Sequence, residues 1–215
     1  MNDGVTLSVA CRGCGQSSDI TCYDSINIKE RPELKARVMD GSLFVWRCPH
    51  CGAANLLQSQ TLYHDPDARI MIWVTGGNVA LEEQVKEAYS RISALEDYTL
   101  RFVDDIGALM EKVKILDSGL DDIVMEMVKY VTRLELSGKE GDAALGNAPF
   151  KFLRMDGADN EITLAYPLDS QMQMAAVGFN VYEDCRGIIQ RNPDVAAAAS
   201  GFCKVDSAFL AQFFR

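Results

Sequence analysis

The sequence predicts an α+β protein. An N-terminal zinc-ribbon-like antiparallel β unit leads into a helical middle, and a C-terminal β-hairpin or meander with helices ends the chain. Three observations carry this expectation. Two Cys-x-x-Cys-Gly motifs, Cys11-Arg12-Gly13-Cys14-Gly15 and Cys48-Pro49-His50-Cys51-Gly52, sit 33 residues apart in strand-like sequence. Apolar residues then recur at steps of three or four in three stretches between Leu81 and Leu134, the period of amphipathic helices. The charge is also uneven. Residues 1–75 carry 7 Lys plus Arg against 8 Asp plus Glu, residues 76–145 carry 8 against 15, and residues 146–215 carry 6 against 8. These three segments are the expected units. Thr75-Gly76-Gly77-Asn78 forms the first boundary, and a loop from Ser137 through Asn147 forms the second.

In chain order, Leu7–Ala10 enters the first knuckle as a strand and Ser18–Ile28 leaves it with β-type residues. Pro32 and Gly41 bracket a short helix, with Leu34 and Val38 on its inner face. Leu43–Arg47 enters the second knuckle and Ala53–Gln58 leaves it. Leu62–Asp67 reads as a turn before a strand over Arg69–Val74. Asn78 caps a helix whose apolar face is Leu81, Val85, Tyr89, Ile92 and Leu95. Tyr98–Val103 is a strand. Asp104 or Asp105 caps a second helix with Ile106, Leu109, Met110, Val113 and Leu116 on one face, and Ser118-Gly119 stops it. Asp121 or Asp122 caps a third, with Ile123, Val124, Met127, Val128, Val131 and Leu134 inward. The short link makes the last two an αα-hairpin. Strands over Pro149–Arg154 and Glu161–Tyr166 flank a turn-rich loop, and a third strand covers Gln171–Val177. Asn180 and Glu183 have capping-box spacing for a helix to Gln190. The apolar tail from Asp206 to Phe214 reads as a docked helix or, left exposed, a partner-binding patch.

The chain has 215 residues, 48% hydrophobic and 24% charged, with a net charge of −10. That composition supports a folded core. No apolar run spans a bilayer and no leader is legible at the start, so a cytoplasmic protein is expected. An acidic chain is a poor partner for phosphate backbones.

The two knuckles are the strongest chemical signal. A two-residue gap lets both thiolates of a pair face one tetrahedral metal, with ligands Cys11, Cys14, Cys48 and Cys51. The trailing glycines suit a backbone leaving the turn at positive φ. Iron suits a four-sulfur site as well as zinc does; one structural zinc per chain is the favoured occupant. Four thiolates leave no open position, so the site stabilises rather than catalyses. His50 should point outward, and Cys22, Cys185 and Cys203 read as small buried side chains.

The residues resemble the CpXC domain family of bacterial proteins. Cys48-Pro49-His50-Cys51-Gly52 fits its Cys-Pro-x-Cys motif directly. Cys11-Arg12-Gly13-Cys14 keeps both cysteines with Arg in place of Pro. Pro32-Glu33-Leu34, Asp40-Gly41-Ser42-Leu43-Phe44, Leu62-Tyr63-His64-Asp65 and Glu111–Asp122 are also similar. The resemblance covers residues 5–136 and implies no established activity.

Three functions are open. The favoured one is a non-catalytic protein-interaction or scaffold module with an unknown protein partner or a second copy of itself, away from membranes. The second is an enzyme with an acidic site between ribbon and helices, for which Asp104-Asp105, Asp121-Asp122 with Glu126, and His64 beside Asp65 are candidates. Thr75-Gly76-Gly77-Asn78 offers a helix-start anion site. Nucleotide-loop, zinc-protease and serine-hydrolase motifs are absent. The third is nucleic-acid binding. With four thiolates and one zinc the working charge becomes −12, and that of residues 1–75 becomes −3, which argues against it.

Overall fold

The computed structural model describes residues 4–140, 145 and 148–214. The chain divides into two compact units, residues 1–110 with 200–203, and residues 111–199 with 204–215. The mixed α+β class is as expected.

In the first unit, β1 (Val5–Ala10) and β2 (Ser17–Cys22) form one antiparallel hairpin, and β4 (Val45–Arg47) and β5 (Ala54–Leu56) form another. Each hairpin tip is a knuckle. Helix α1 (Glu33–Met39) buries Leu34 and Val38 as the i, i+4 spacing requires. The strand expected over Ser18–Ile28 is two strands. β2 pairs with β1, whereas β3 (Ser25–Asn27) pairs with β6 (Thr61–Asp65), so the chain bends between two partners.

The turn expected at Leu62–Asp67 is corrected. Thr61–Asp65 is strand β6, with Thr61, Tyr63 and Asp65 buried alternately, and the turn falls after it. Pro66 drives the residue before it into extended backbone, which prolongs the strand up to the proline. The strands assemble as β3-β6-β7-β8, with β7 at Ile70–Val74 and β8 at Thr99–Val103. β6 and β7 are antiparallel; β3–β6 and β7–β8 are parallel. The sheet is therefore mixed. β7 reads Ile-Met-Ile-Trp-Val because a strand covered on both faces needs no polar alternation.

Between β7 and β8 runs α2 (Val79–Tyr89), whose N–H at Leu81 is accepted by Asn78. This helix stops at Tyr89, earlier than its apolar pattern suggested, and Ile92 is exposed. Met71, Val85, Leu100, Phe102 and Phe202 form one core, with Phe202 stacked on Phe102.

Helix α3 (Ile106–Asp117) contains the division between the units. Ile106, Leu109 and Val113 are buried as expected, Leu116 is only half-buried, and Ile115 is fully buried. In the second unit Gly119 stops the helix at φ +71°, and Asp121 accepts the N–H groups of Ile123 and Val124 to start α4 (Asp122–Glu140). This is the expected αα-hairpin. Helix α4 differs from its amphipathic pattern. Residues 122–129 are buried all round, and Leu134 is exposed. Its run to Glu140 makes the first part of the loop expected at Ser137–Asn147 helical; residues 141–144 and 146–147 lie outside those described.

Strands β9 (Lys151–Asp156), β10 (Glu161–Leu168) and β11 (Gln171–Val177) form an antiparallel meander in the order β11-β10-β9. Helix α5 (Phe179–Gln190) begins at Gly178, not at Asn180, and the expected capping box is not made; Glu183 pairs instead with Arg186. After α6 (Pro193–Ala198), the tail forms α7 (Ser207–Leu210), capped by Asp206. Phe209 and Leu210 are buried and α7 packs on α4, so the tail docks within its own chain.

Candidate metal centre

The two knuckles repeat one local geometry. The N–H of Cys11 donates to Gln16 O at 2.9 Å and that of Gly15 to Cys11 O at 2.8 Å; Cys48 and Gly52 donate to Ala53 O and Cys48 O, both at 2.9 Å. Gly15 and Gly52 share φ +73°, the left-handed backbone that the trailing glycine permits. Each hairpin tip thus turns both of its sulfurs to one side. The four Sγ atoms lie within 4.8 Å of one another, and no cysteine is in a disulfide. Cys11 to Cys51 is 3.6 Å and Cys14 to Cys48 is 3.7 Å. A tetrahedron with metal–sulfur bonds of about 2.3 Å has edges of about 3.8 Å. The donor set therefore fits a metal ion.

The sulfurs are not equivalent. Burial opposes ionisation of Cys11, but donors from Asn55 Nδ2 at 3.4 Å, the Gly13 N–H at 3.3 Å and Cys14 bring it down to about 6. At Cys51 the Ala53 N–H draws the value down, yet the surrounding thiols, Cys14 foremost, and burial push it up to about 12. Cys14 is raised as well. Without a cation the first thiolate forms readily and the last hardly at all, as expected of like charges in contact. Full ionisation calls for a positive ion at the centre.

Asn55 belongs to the site although the Cys-x-x-Cys spacing does not reveal it. It is buried on β5, accepts the Arg12 N–H at 2.9 Å, and donates to Cys11 Sγ and to Ala53 O at 2.9 Å. One amide thereby ties the first knuckle to the second. Its only trace in the sequence is a polar residue four places after Cys51 in a strand position.

A family model described as CpXC protein matches residues 9–129. The chain belongs to the CpXC family. No curated protein and no solved structure matches it. The matched span holds all four clustered cysteines and lies within the 5–136 expected from the resemblance.

The other candidates of this CpXC chain do not join the cysteine cluster among the described residues. His50 is exposed, as expected. Cys22 and Cys185 are buried, and burial raises both thiols, Cys185 to about 11; Cys203 is half-buried. His64 and Asp65 do not form a dyad, because neighbours on a strand point to opposite faces. Asp65 accepts Lys35 Nζ at 3.2 Å and the Ala68 N–H at 3.1 Å, while His64 lies 3.5 Å from the Tyr98 hydroxyl. Burial lowers the His64 value, with Asp65 opposing.

The acidic pairs have different surroundings. Asp104 and Asp105 line a cavity of about 340 Å³ with Gln58, Ser59, Gln60 and Thr75. Asp105 also accepts the Ala108 N–H at 2.7 Å as a helix cap. Asp122 and Glu126 belong to a buried network. Lys112 donates to Asp122 at 2.9 Å and lies 3.6 Å from Glu126. Lys129 reaches Glu126 at 2.6 Å and Glu111 at 2.9 Å. Glu111 also takes Lys151 Nζ at 2.9 Å and the Phe152 N–H at 2.8 Å. Burial alone would raise Glu111, but Lys129, Lys151 and the Phe152 N–H hold it below the usual range. Burial would lower Lys129, but Glu126 and Glu111 hold it above.

Proposed function

We propose that this is a zinc-stabilised cytoplasmic protein with a non-catalytic role, a protein-interaction or scaffold module. One structural zinc per chain is held by Cys11, Cys14, Cys48 and Cys51. The observation that carries it is the cluster of four thiol sulfurs at near-tetrahedral spacing. A site with four sulfur ligands has no position left for water or substrate, so the bound ion contributes folding energy rather than chemistry. Iron fits the same geometry. Elemental analysis is expected to return about one zinc per chain, and cobalt substitution a tetrahedral thiolate spectrum. Stoichiometric iron, or no metal with the four thiols unprotected, overturns the assignment.

The partner is read as protein because residues 1–75 carry no net positive charge and four of their seven cations face carboxylates. Lys29, Arg31, Lys35 and Arg69 face Asp67, Glu33, Asp65 and Asp97. With eight carboxylates against seven cations, this segment has no net positive charge to release counterions from a nucleic acid. Random-sequence DNA or RNA at low salt is therefore expected not to bind, and tight, salt-sensitive binding reverses the ranking. No described helix is long and apolar enough to cross a membrane.

The second reading is an enzyme, favoured by one observation. The cavity bearing Asp104 and Asp105 opens at the carboxyl ends of the parallel strands β7 and β8, the usual place for ligands in such sheets. A small molecule whose binding is lost in Asp104→Asn, with the metal retained, would favour it.

A further inference from the structure

The two edges of the C-terminal meander differ. The β9 edge carries Lys151, Arg154 and Asp156, and its pairing with β10 shifts register between Thr163 and Leu164. Charges and irregular pairing are the usual devices that keep an edge strand from recruiting another strand. The β11 edge has neither. It is seven residues long, Gln-Met-Gln-Met-Ala-Ala-Val, with no charge and no proline. Its pairing with β10 is regular throughout. Met172 and Met174 are 64% and 66% exposed. Among the described residues no strand covers its outer side.

We infer that β11 pairs antiparallel with β11 of a second copy of this chain, joining two three-stranded meanders into one six-stranded sheet. Three features select a second copy. First, a two-fold pairing brings each strand against itself, and any charge on it would meet its own sign. β11 is neutral in a chain of net charge −10, so this strip is free of the self-repulsion that the rest of the chain brings. Second, a two-fold axis perpendicular to a continuous sheet allows only pairs of residues on the same face. Seven residues centred on Met174 satisfy this over the full strand. Third, in that register Gln171 meets Val177, Met172 meets Ala176 and Gln173 meets Ala175, so each longer side chain faces a shorter one, and Met174 faces itself. The isologous contact closes at two copies. Because little beyond the strand is covered, the dimer belongs to the small, reversible class of interface.

The inference does not rest on the metal reading, since β11 contains no cysteine. The test uses the full metal-loaded chain. Sedimentation over roughly 5–200 µM, the range suited to a transient interface, is expected to show the mass doubling with concentration. Met174→Lys sets two cations face to face and is expected to weaken the dimer at least about tenfold, with the circular-dichroism spectrum unchanged. Met174→Cys gives a second readout. Paired Cα atoms about 4.5–5.5 Å apart lie in disulfide range, so this variant is expected to cross-link between copies faster than the wild-type chain. In Met172→Cys the two thiols sit about 14 Å apart along the strand and are expected not to link. A monomer throughout, larger assemblies, a dimer unaffected by Met174→Lys, or equal cross-linking at 172 and 174 each overturns the inference.

Discussion

The four-cysteine cluster of the first unit and the lysine–carboxylate network of the second solve one electrostatic problem in opposite ways. Both crowd ionisable groups into little space. In the network the compensating charges come from the chain itself. Asp122, Glu126 and Glu111 meet Lys112, Lys129 and Lys151, and these contacts hold Glu111 below and Lys129 above their ordinary values against the effect of burial. In the cluster the chain supplies only donors of hydrogen bonds, which suffice to bring Cys11 to about 6 and leave Cys51 near 12. The difference teaches where each region is vulnerable. The network fails when one of its own residues is removed. The cluster, on the metal reading proposed above, is expected to fail when an ion from outside the chain is removed.

The largest expected effect breaks the cluster. Cys48→Ser, or a strong chelator, is expected to drop the metal from about one per chain to near none. The metal-linked stabilisation of the hairpins, on the order of 10 kcal/mol, goes with it. Metal analysis and thermal unfolding check this. If the hairpins keep their full stability without metal, the contrast between the regions disappears.

Next, Lys129→Met strands Glu126 and Glu111 in a buried site and is expected to cost about 3–5 kcal/mol in urea unfolding, with the metal content unchanged. Replacing Lys129 and Glu126 together by apolar residues is expected to recover much of that loss. Failure to recover would mean that the network acts as a whole and not through this pair.

Asn55→Ala probes the side-chain donor that ties the two knuckles together. It is expected to weaken metal affinity about 10- to 100-fold, measured by competition with a chromophoric chelator, without abolishing the site.

The smallest effect is in pH. Glu111 is held below its ordinary value of 4.5 in the folded chain. Its stabilisation is therefore complete above that value and is lost as pH falls through the lower, folded one. Lys129 is held above 10.5, so its contribution is complete below 10.5 and is lost as pH rises through the folded value. Unfolding free energies of wild type and Glu111→Gln are expected to converge as the solution is acidified below 4.5. A constant difference would mean that Glu111 does not titrate in this window.

Much of the site was legible in the chain because its chemistry is local. Cys-x-x-Cys-Gly encodes a turn, a pair of ligands and the positive φ that follows, all within five residues. The stop at Gly119 and the caps at Asn78, Asp105 and Asp121 were legible for the same reason. Asn55 was not, because its partners Arg12 and Cys11 lie more than forty residues away. Asp122 does open α4, as read, but neither it nor Glu126 lies on a solvated face or in an open acidic site; both are buried and paired with lysines. Only the packing of α4, buried all round from 122 to 129, makes Lys112 and Lys129 their partners.

By itself, then, the sequence determined the class of the fold, the two knuckles, the helix starts at Asn78, Asp105 and Asp121, the stop at Gly119 and the four sulfurs, because each depends on backbone turns and spacings a few residues long. Tertiary structure alone decided that β6 is a strand, that the sheet is mixed, that the acidic residues of α4 are neutralised inside the second unit, and that β11 is left as an unguarded edge. Those outcomes depend on which distant segments meet, and burial changes what a charge or an apolar strand can tolerate only once they have met.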